Sequence, residues 1–249
     1  METLPDLLRD GLDVVFIGIN PSLYSVEQGH YFARKTNRFW PAFSRSTLSE
    51  PARRALGVER LEPRHDVALL DHGIGFTDAV KRPTARADAI TPQEFATGVA
   101  DLARKLEIFR PRIACFHGMM GYRPFLRALS PEAAPPQLGE QPVSIGTSKI
   151  FVIPNPSPAN AHASPAVQTE WYDRLALYRR IELENPRASD PTMTDAEFAI
   201  ATSRLIRREA LRKQAEGLTE VAGPGLENIL ARISAEVTAD AAAVKPRSK

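Results

Sequence analysis

The sequence predicts an α/β fold, a three-layer α/β/α sandwich around a mainly parallel sheet over about residues 10–185, with a helical extension behind it. Three observations carry this prediction. Short, continuously apolar runs recur along the chain, helical patterns alternate with them, and turn-rich segments follow two of the runs directly. Apolar runs of this length suit strands buried on both faces, and their alternation with helices suits parallel pairing.

Val14-Val15-Phe16-Ile17 is the first such run and predicts a strand. Asn37 to Leu48 opens with aromatic residues and predicts a helix. Thr91-Pro92-Gln93-Glu94 has the capping-box spacing with proline at the first helical position, so a helix should run from there to about Phe109. Arg110-Pro111 breaks it, and Ile113 to Phe116 reads as the next strand. Ile150-Phe151-Val152-Ile153 predicts a third strand, and Thr169 to Glu182 a closing helix. No internal repeat is evident.

After Asn185-Pro186 the composition shifts, and Phe198 is the sole aromatic residue from Arg187 onward. Thr194-Asp195-Ala196-Glu197 resembles a helix start, with Ile200, Leu205 and Leu211 at helical spacing behind it. Gly223-Pro224-Gly225 interrupts, a shorter helix follows from about Leu226 to Val237, and Ala239 to Lys249 reads as a frayed, disordered end. Residues 186–249 therefore read as a helical C-terminal extension without a catalytic part, packed on the domain or loosely tethered to it, with a DNA-binding role as the alternative.

With 249 residues and 43% hydrophobic content the chain can bury a substantial core. Its formal net charge of +2 places any nucleic-acid contact on local clusters of Lys and Arg. One cysteine, Cys115, sits in an apolar run and reads as a core thiol, which leaves no internal disulfide and no cysteine-rich zinc site. The first ten residues lack a signal-peptide pattern and no stretch is long and apolar enough for a bilayer, so a cytoplasmic protein without a membrane partner is expected.

Two turn-rich segments follow predicted strands: Gly18-Ile19-Asn20-Pro21-Ser22 and Pro154-Asn155-Pro156-Ser157-Pro158-Ala159-Asn160. Ligands of open α/β sheets bind at such carboxyl ends, so two loops facing one crevice suggest an active site. Asn20 stands out, because its carbonyl can hold a water and its NH2 can bond a substrate edge. Tyr31 and Phe32, with Arg34 and Lys35 beside them, suit base stacking next to a phosphate backbone, whereas Phe39 and Trp40 read as core.

These segments, with Asn37-Arg38-Phe39-Trp40, Gly73-Ile74-Gly75-Phe76-Thr77-Asp78, Arg82-Pro83-Thr84 and Pro111-Arg112-Ile113-Ala114, resemble in their order the mismatch-specific uracil and thymine DNA glycosylases. The resemblance spans about residues 12–182. It implies the uracil-DNA glycosylase fold and a repair enzyme that flips uracil, with thymine or another damaged base as further candidates, out of duplex DNA, notably from G·U mispairs. Hydrolysis of the N-glycosidic bond would leave an abasic site without metal or cofactor. Asn20 would orient the attacking water, and Phe32 would stack on the extruded base. Gly18, Ile19, Tyr24, Ser25 and Asn37 would line the base pocket. Asn155, Pro156, Ser157, Pro158, Ala159 and Asn160 would grip the damaged strand, with Arg34, Lys35, Lys81 and Arg82 as phosphate contacts.

Two departures from the family pattern stand out. Asp78 is a carboxylate where relatives carry uncharged or basic side chains, and it reads either as a general base or as a turn cap paired with Lys81 or Arg82. Pro158-Ala159-Asn160 replaces a bulkier wedge, and Ala159 is a poor intercalating plug. Two other classes compete: a lesion-binding module of the same fold with weak catalysis, and a metal-dependent phosphoesterase built on His65, Asp66, Asp71, His72, His117 and His162. The resemblance supplies no metal ligand set for the second, and no metal is expected.

Overall fold

A computed structural model describes residues 3–161 and 163–184, with isolated positions between 192 and 201. Five strands form one sheet in the order β2-β1-β3-β5-β4: β1 (Val14–Gly18), β2 (Ile74–Asp78), β3 (Ile113–His117), β4 (Gly139–Ile145) and β5 (Ser148–Ile153). β1 pairs in parallel with β2 and β3, and β3 with β5; only β4 runs antiparallel, as an edge hairpin partner of β5. This is the predicted α/β architecture.

Alternation along β1 sets the layers. Val14 and Phe16 enter one apolar cluster with Phe39, Phe43 and Tyr172, while Val15 and Ile17 enter another with Leu102, Leu106 and Phe125. The first cluster is covered by α2 (Phe39–Phe43), α3 (Glu50–Leu56) and α6 (Pro165–Leu183), the second by α4 (Pro92–Phe109) and α5 (Met119–Leu129). All five positions of β1, of β2 and of β3 are buried, as a sheet covered on both faces requires. Each fully buried Phe or Leu contributes about 1.5–3 kcal/mol of transfer free energy.

α4 starts as its sequence requires: Thr91 Oγ1 accepts from Glu94 N at 3.2 Å, and the Glu94 carboxylate accepts from Thr91 N at 2.9 Å. Arg110 closes it in the left-handed region at φ 44°. The predicted helix over Asn37 to Leu48 is shorter than its pattern and gives way to a 3-10 turn at Thr47–Ser49 and to α3. Serine hydroxyls compete there with the helical ladder: Ser46 Oγ donates to Phe43 O at 2.7 Å, and Ser44 Oγ exchanges bonds with Leu61. Pro51 then lacks the N–H that would continue the helix and sits in the first turn of a new one. The closing helix begins earlier than its periodicity suggests, because Ser164 accepts from Val167 N and Pro165 occupies the first turn.

β2, β4, α5 and α1 (Leu23–Gln28) fall in stretches without a clear periodic pattern. β4 is an edge strand with Pro142 inside it, and α5 contains Gly121 and Pro124. Gly75 weakens the strand pattern of β2, yet a side chain there would collide with Leu7 O and Leu12.

The chain divides into two compact units, residues 1–179 and 180–249. The expected helices after Glu197 and the frayed end lie outside the described residues. At the start of that stretch Thr194 and Glu197 exchange the reciprocal bonds of a capping box. Among the described residues no helix is long and apolar enough to cross a membrane.

Candidate active site

The chain passes from β1 to β2 on one side and then to β3 on the other, so the crossovers diverge at the carboxyl end of β1. Parallel sheets bind ligands at that switch point. A cleft of about 940 Å³ opens there, lined by residues that follow all four parallel strands. Asn20 and Asp78 enter it from the β1 and β2 ends, His117 from β3, and Asn155, Ser157, Pro158, Ala159 and Asn160 from β5.

Beyond their last paired positions β1 and β2 stay joined, since Ala79 N donates to Gly18 O and Val80 N to Ile19 O, each at 2.9 Å. Gly18 lies opposite Asp78, and any side chain at position 18 would strike Asp78 Oδ1. Asn20 is half-buried at this junction. Its Nδ2 donates to Thr84 Oγ1 at 2.8 Å, Arg82 O at 3.0 Å and Pro21 O at 3.1 Å. Two of these acceptors are backbone carbonyls, and Thr84 spends its own proton on Arg86 O at 2.7 Å, so the amide nitrogen must face them. Of the two uses that the sequence allowed the amide, one is therefore closed. The NH2 serves the protein, and Oδ1 is the atom left for water.

Asp78 is 4% exposed and its Oδ2 has no hydrogen-bond partner. Burial pushes its carboxyl from an ordinary 3.8 up to about 7, with Lys81 and Lys105 opposing and Asp6 assisting. Neither capping nor an ion pair accounts for it, because Lys81 pairs with Asp6 at 2.9 Å and Arg82 with Glu94. His117 is equally sequestered: burial pushes its imidazole down to about 3, Nε2 lies 3.1 Å from the Tyr172 hydroxyl, and Nδ1 is unpartnered.

Phe32 closes a column of rings. Phe43 stacks on Phe39 at 5.2 Å, and Phe39 on Phe32 at 4.4 Å and 15°, leaving Phe32 half-buried on the cleft wall. Its φ of 53° is a left-handed conformation, costly for a bulky residue and held only where neighbours over-determine it. Asp66 supplies that constraint: buried, it accepts from Tyr31 N at 3.0 Å and Val67 N at 2.8 Å and contacts His30 Nδ1 at 3.1 Å. Trp40 Nε1 holds Tyr31 O at 2.9 Å. Tyr31, Phe39 and Trp40 are themselves core.

The loop after β5 is held from outside. Arg38 Nη1 donates to Asn160 O at 2.7 Å, Ala163 O at 2.8 Å and Ser157 O at 3.3 Å, and Arg38 N donates to Pro156 O at 3.0 Å. Within the loop Asn155 Oδ1 accepts from Ser157 N, and Asn160 Nδ2 donates to Asn155 O. Sequence patterns place Arg38 in a motif but do not show this role; a lone arginine among aromatic residues is the only hint.

Of the other sequence-derived candidates, Gly18, Ile19, Ser25, Asn37 and Arg34 line the cleft. Ser25 shares its hydroxyl with Ser22 at 3.0 Å, and Asn37 Oδ1 accepts from Phe39 N at 2.8 Å. Tyr24 and Lys35 instead border a shallow depression with Arg34 and Thr36, Pro156 is buried, and Lys81 and Arg82 are engaged in ion pairs. Among the described residues no group of three or more His, Cys, Asp or Glu is placed to hold a metal ion.

The family model of the uracil DNA glycosylase superfamily matches residues 5–176. This chain belongs to the uracil DNA glycosylase superfamily. As a member it is a DNA glycosylase, a hydrolase of DNA repair directed at uracil, and DNA is its partner. Every residue that lines the cleft except Leu4 lies within the matched segment.

Proposed function

We propose that this superfamily member is a monofunctional mismatch-directed glycosylase, which rotates uracil out of a duplex, notably opposite guanine, and hydrolyses its N-glycosidic bond. The observation that carries this reading is the amide orientation at Asn20: three protein acceptors surround Nδ2 and leave Oδ1 as the unused acceptor of a residue that lines the same cleft as Asp78 and Phe32.

A base inside a duplex is unreachable at its sugar bond, and mispaired bases cost least to extrude. Stacked on Phe32, the base would extend the ring column by one member. Water held by Asn20 Oδ1 attacks the sugar C1′ as the C1′–N bond breaks, the electron pair leaves with the base, and a water proton passes to the Asp78 carboxylate. The transition state resembles that of glycoside hydrolysis, with positive charge on the sugar that a nearby carboxylate stabilises. A carboxyl that titrates near neutral pH suits the base role.

Incubation of the purified protein with a duplex carrying one G·U mispair should give alkali-labile abasic sites, and Asn20→Ala should slow their formation about a hundredfold or more. Binding to the mispaired duplex without any base release would instead mark a lesion-binding module.

A further inference from the structure

Helix α5 presents a face that the sequence did not single out. Met120, Arg123 and Arg127 are exposed at i, i+3 and i+7 spacing, so they share one side of the helix. Met120 is 55% exposed and lines the cleft. Neither arginine has an ion pair or hydrogen bond among the described residues, and α5 carries no acidic residue, whereas Lys81 and Arg82 are paired with carboxylates. The start of the helix is pressed against the β5 loop: at Gly118, whose φ is 91°, a Cβ would lie 2.9 Å from that of Asn155. A large apolar side chain thus lines the same cleft as a loop whose own tip, Ala159, is too small to act as a wedge. From Arg123 to Arg127 the helix rises about 6 Å, close to the axial span of two phosphate steps on one strand at about 3.4 Å each.

We propose that this face of α5 is a DNA-docking surface: Met120 fills the space left by the extruded nucleotide, and Arg123 and Arg127 hold phosphates of the adjoining duplex arm. The inference rests on the base-flipping reading above and adds the side chains that open the stack. All three side chains point outward, so their truncation leaves the core intact.

The test uses the full chain with two duplexes, one undamaged and one carrying a non-hydrolysable uracil nucleotide opposite guanine, titrated at several salt concentrations. The double variant Arg123→Ala/Arg127→Ala should bind both more weakly, and the slope of log affinity against log salt should flatten by about 1–2. Met120→Ala should bind undamaged duplex as before, lose affinity for the uracil duplex by about tenfold, and lower aminopurine fluorescence beside the uracil. Met120→Leu should restore both. An unchanged salt slope in the double variant, or a Met120→Ala variant indistinguishable from wild type, overturns the proposal, as does wild-type protein without affinity for either duplex. Uracil release by the wild type is scored separately. Release with unaltered variants sinks the α5 surface alone, and a flattened slope without release upholds the surface while removing the catalytic reading.

Discussion

Asp78 concentrates the chemistry that a single residue can carry. Its carboxyl sits at about 7 because burial penalises the charged form, so it is protonated below that pH and available as a base above it. Excision should therefore rise with pH through about 7, and Asp78→Asn should abolish the rise; a flat wild-type profile in single-turnover assays would refute the base role. Stability moves the other way. A folded-state value raised above the unfolded 3.8 means that the native state keeps its full stability below about pH 4 and loses it as pH rises through 7. The loss amounts to about 4 kcal/mol at most. Asp78→Asn should consequently melt higher than wild type at pH 8 and no higher at pH 4, which calorimetry at the two pH values checks. The same site shows what residue types disclose. An asparagine after a buried strand is visible in a sequence, but the direction of its amide is not, because Arg82 O and Thr84 Oγ1 reach it from 62 and 64 positions away.

Among the elements, the loop after β5 depends on one side chain from another part of the fold. Arg38 holds the carbonyls of Ser157, Asn160 and Ala163, to which the loop itself adds only Asn160 N to Ser157 O at 2.9 Å and Ala163 N to Asn160 O at 3.5 Å among the described residues. Arg38→Met should weaken binding to a uracil-containing duplex by about tenfold or more, with a smaller effect on melting temperature. Arg38→Lys should not rescue it, since an ammonium lacks the planar fork that meets several carbonyls together. Equal affinity of Arg38→Met and wild type would show that the loop orders itself. Elements with strong local signals are legible: β1, β3 and β5 as apolar runs, α4 by its capping box. β2 and α5 are not, since Gly75 and Gly121 answer to close packing, Pro124 sits inside the helix, and all three blur the periodicity.

At the scale of the whole molecule, the residues that line the cleft run from Leu4 to Trp171, and the family match ends at 176. A chain ending at Glu184 keeps α6 complete and should fold and release uracil at the full-length rate; loss of binding at physiological salt would assign the extension a DNA-clamping part. The α/β class, the parallel strands and the two loops that meet at their carboxyl ends are legible in the order of residues alone, because apolar runs and turn residues act over a few positions. Residue type and order also point to Asn20, Phe32 and Asp78. How those groups behave is set by the packed fold. The free Oδ1 of Asn20, the neutral-range carboxyl of Asp78, the strained turn at Phe32 held by Asp66, and the unpaired arginines of α5 all depend on burial and on partners distant in the chain. Desolvation and long-range hydrogen bonding are properties of the packed molecule, which no local pattern contains.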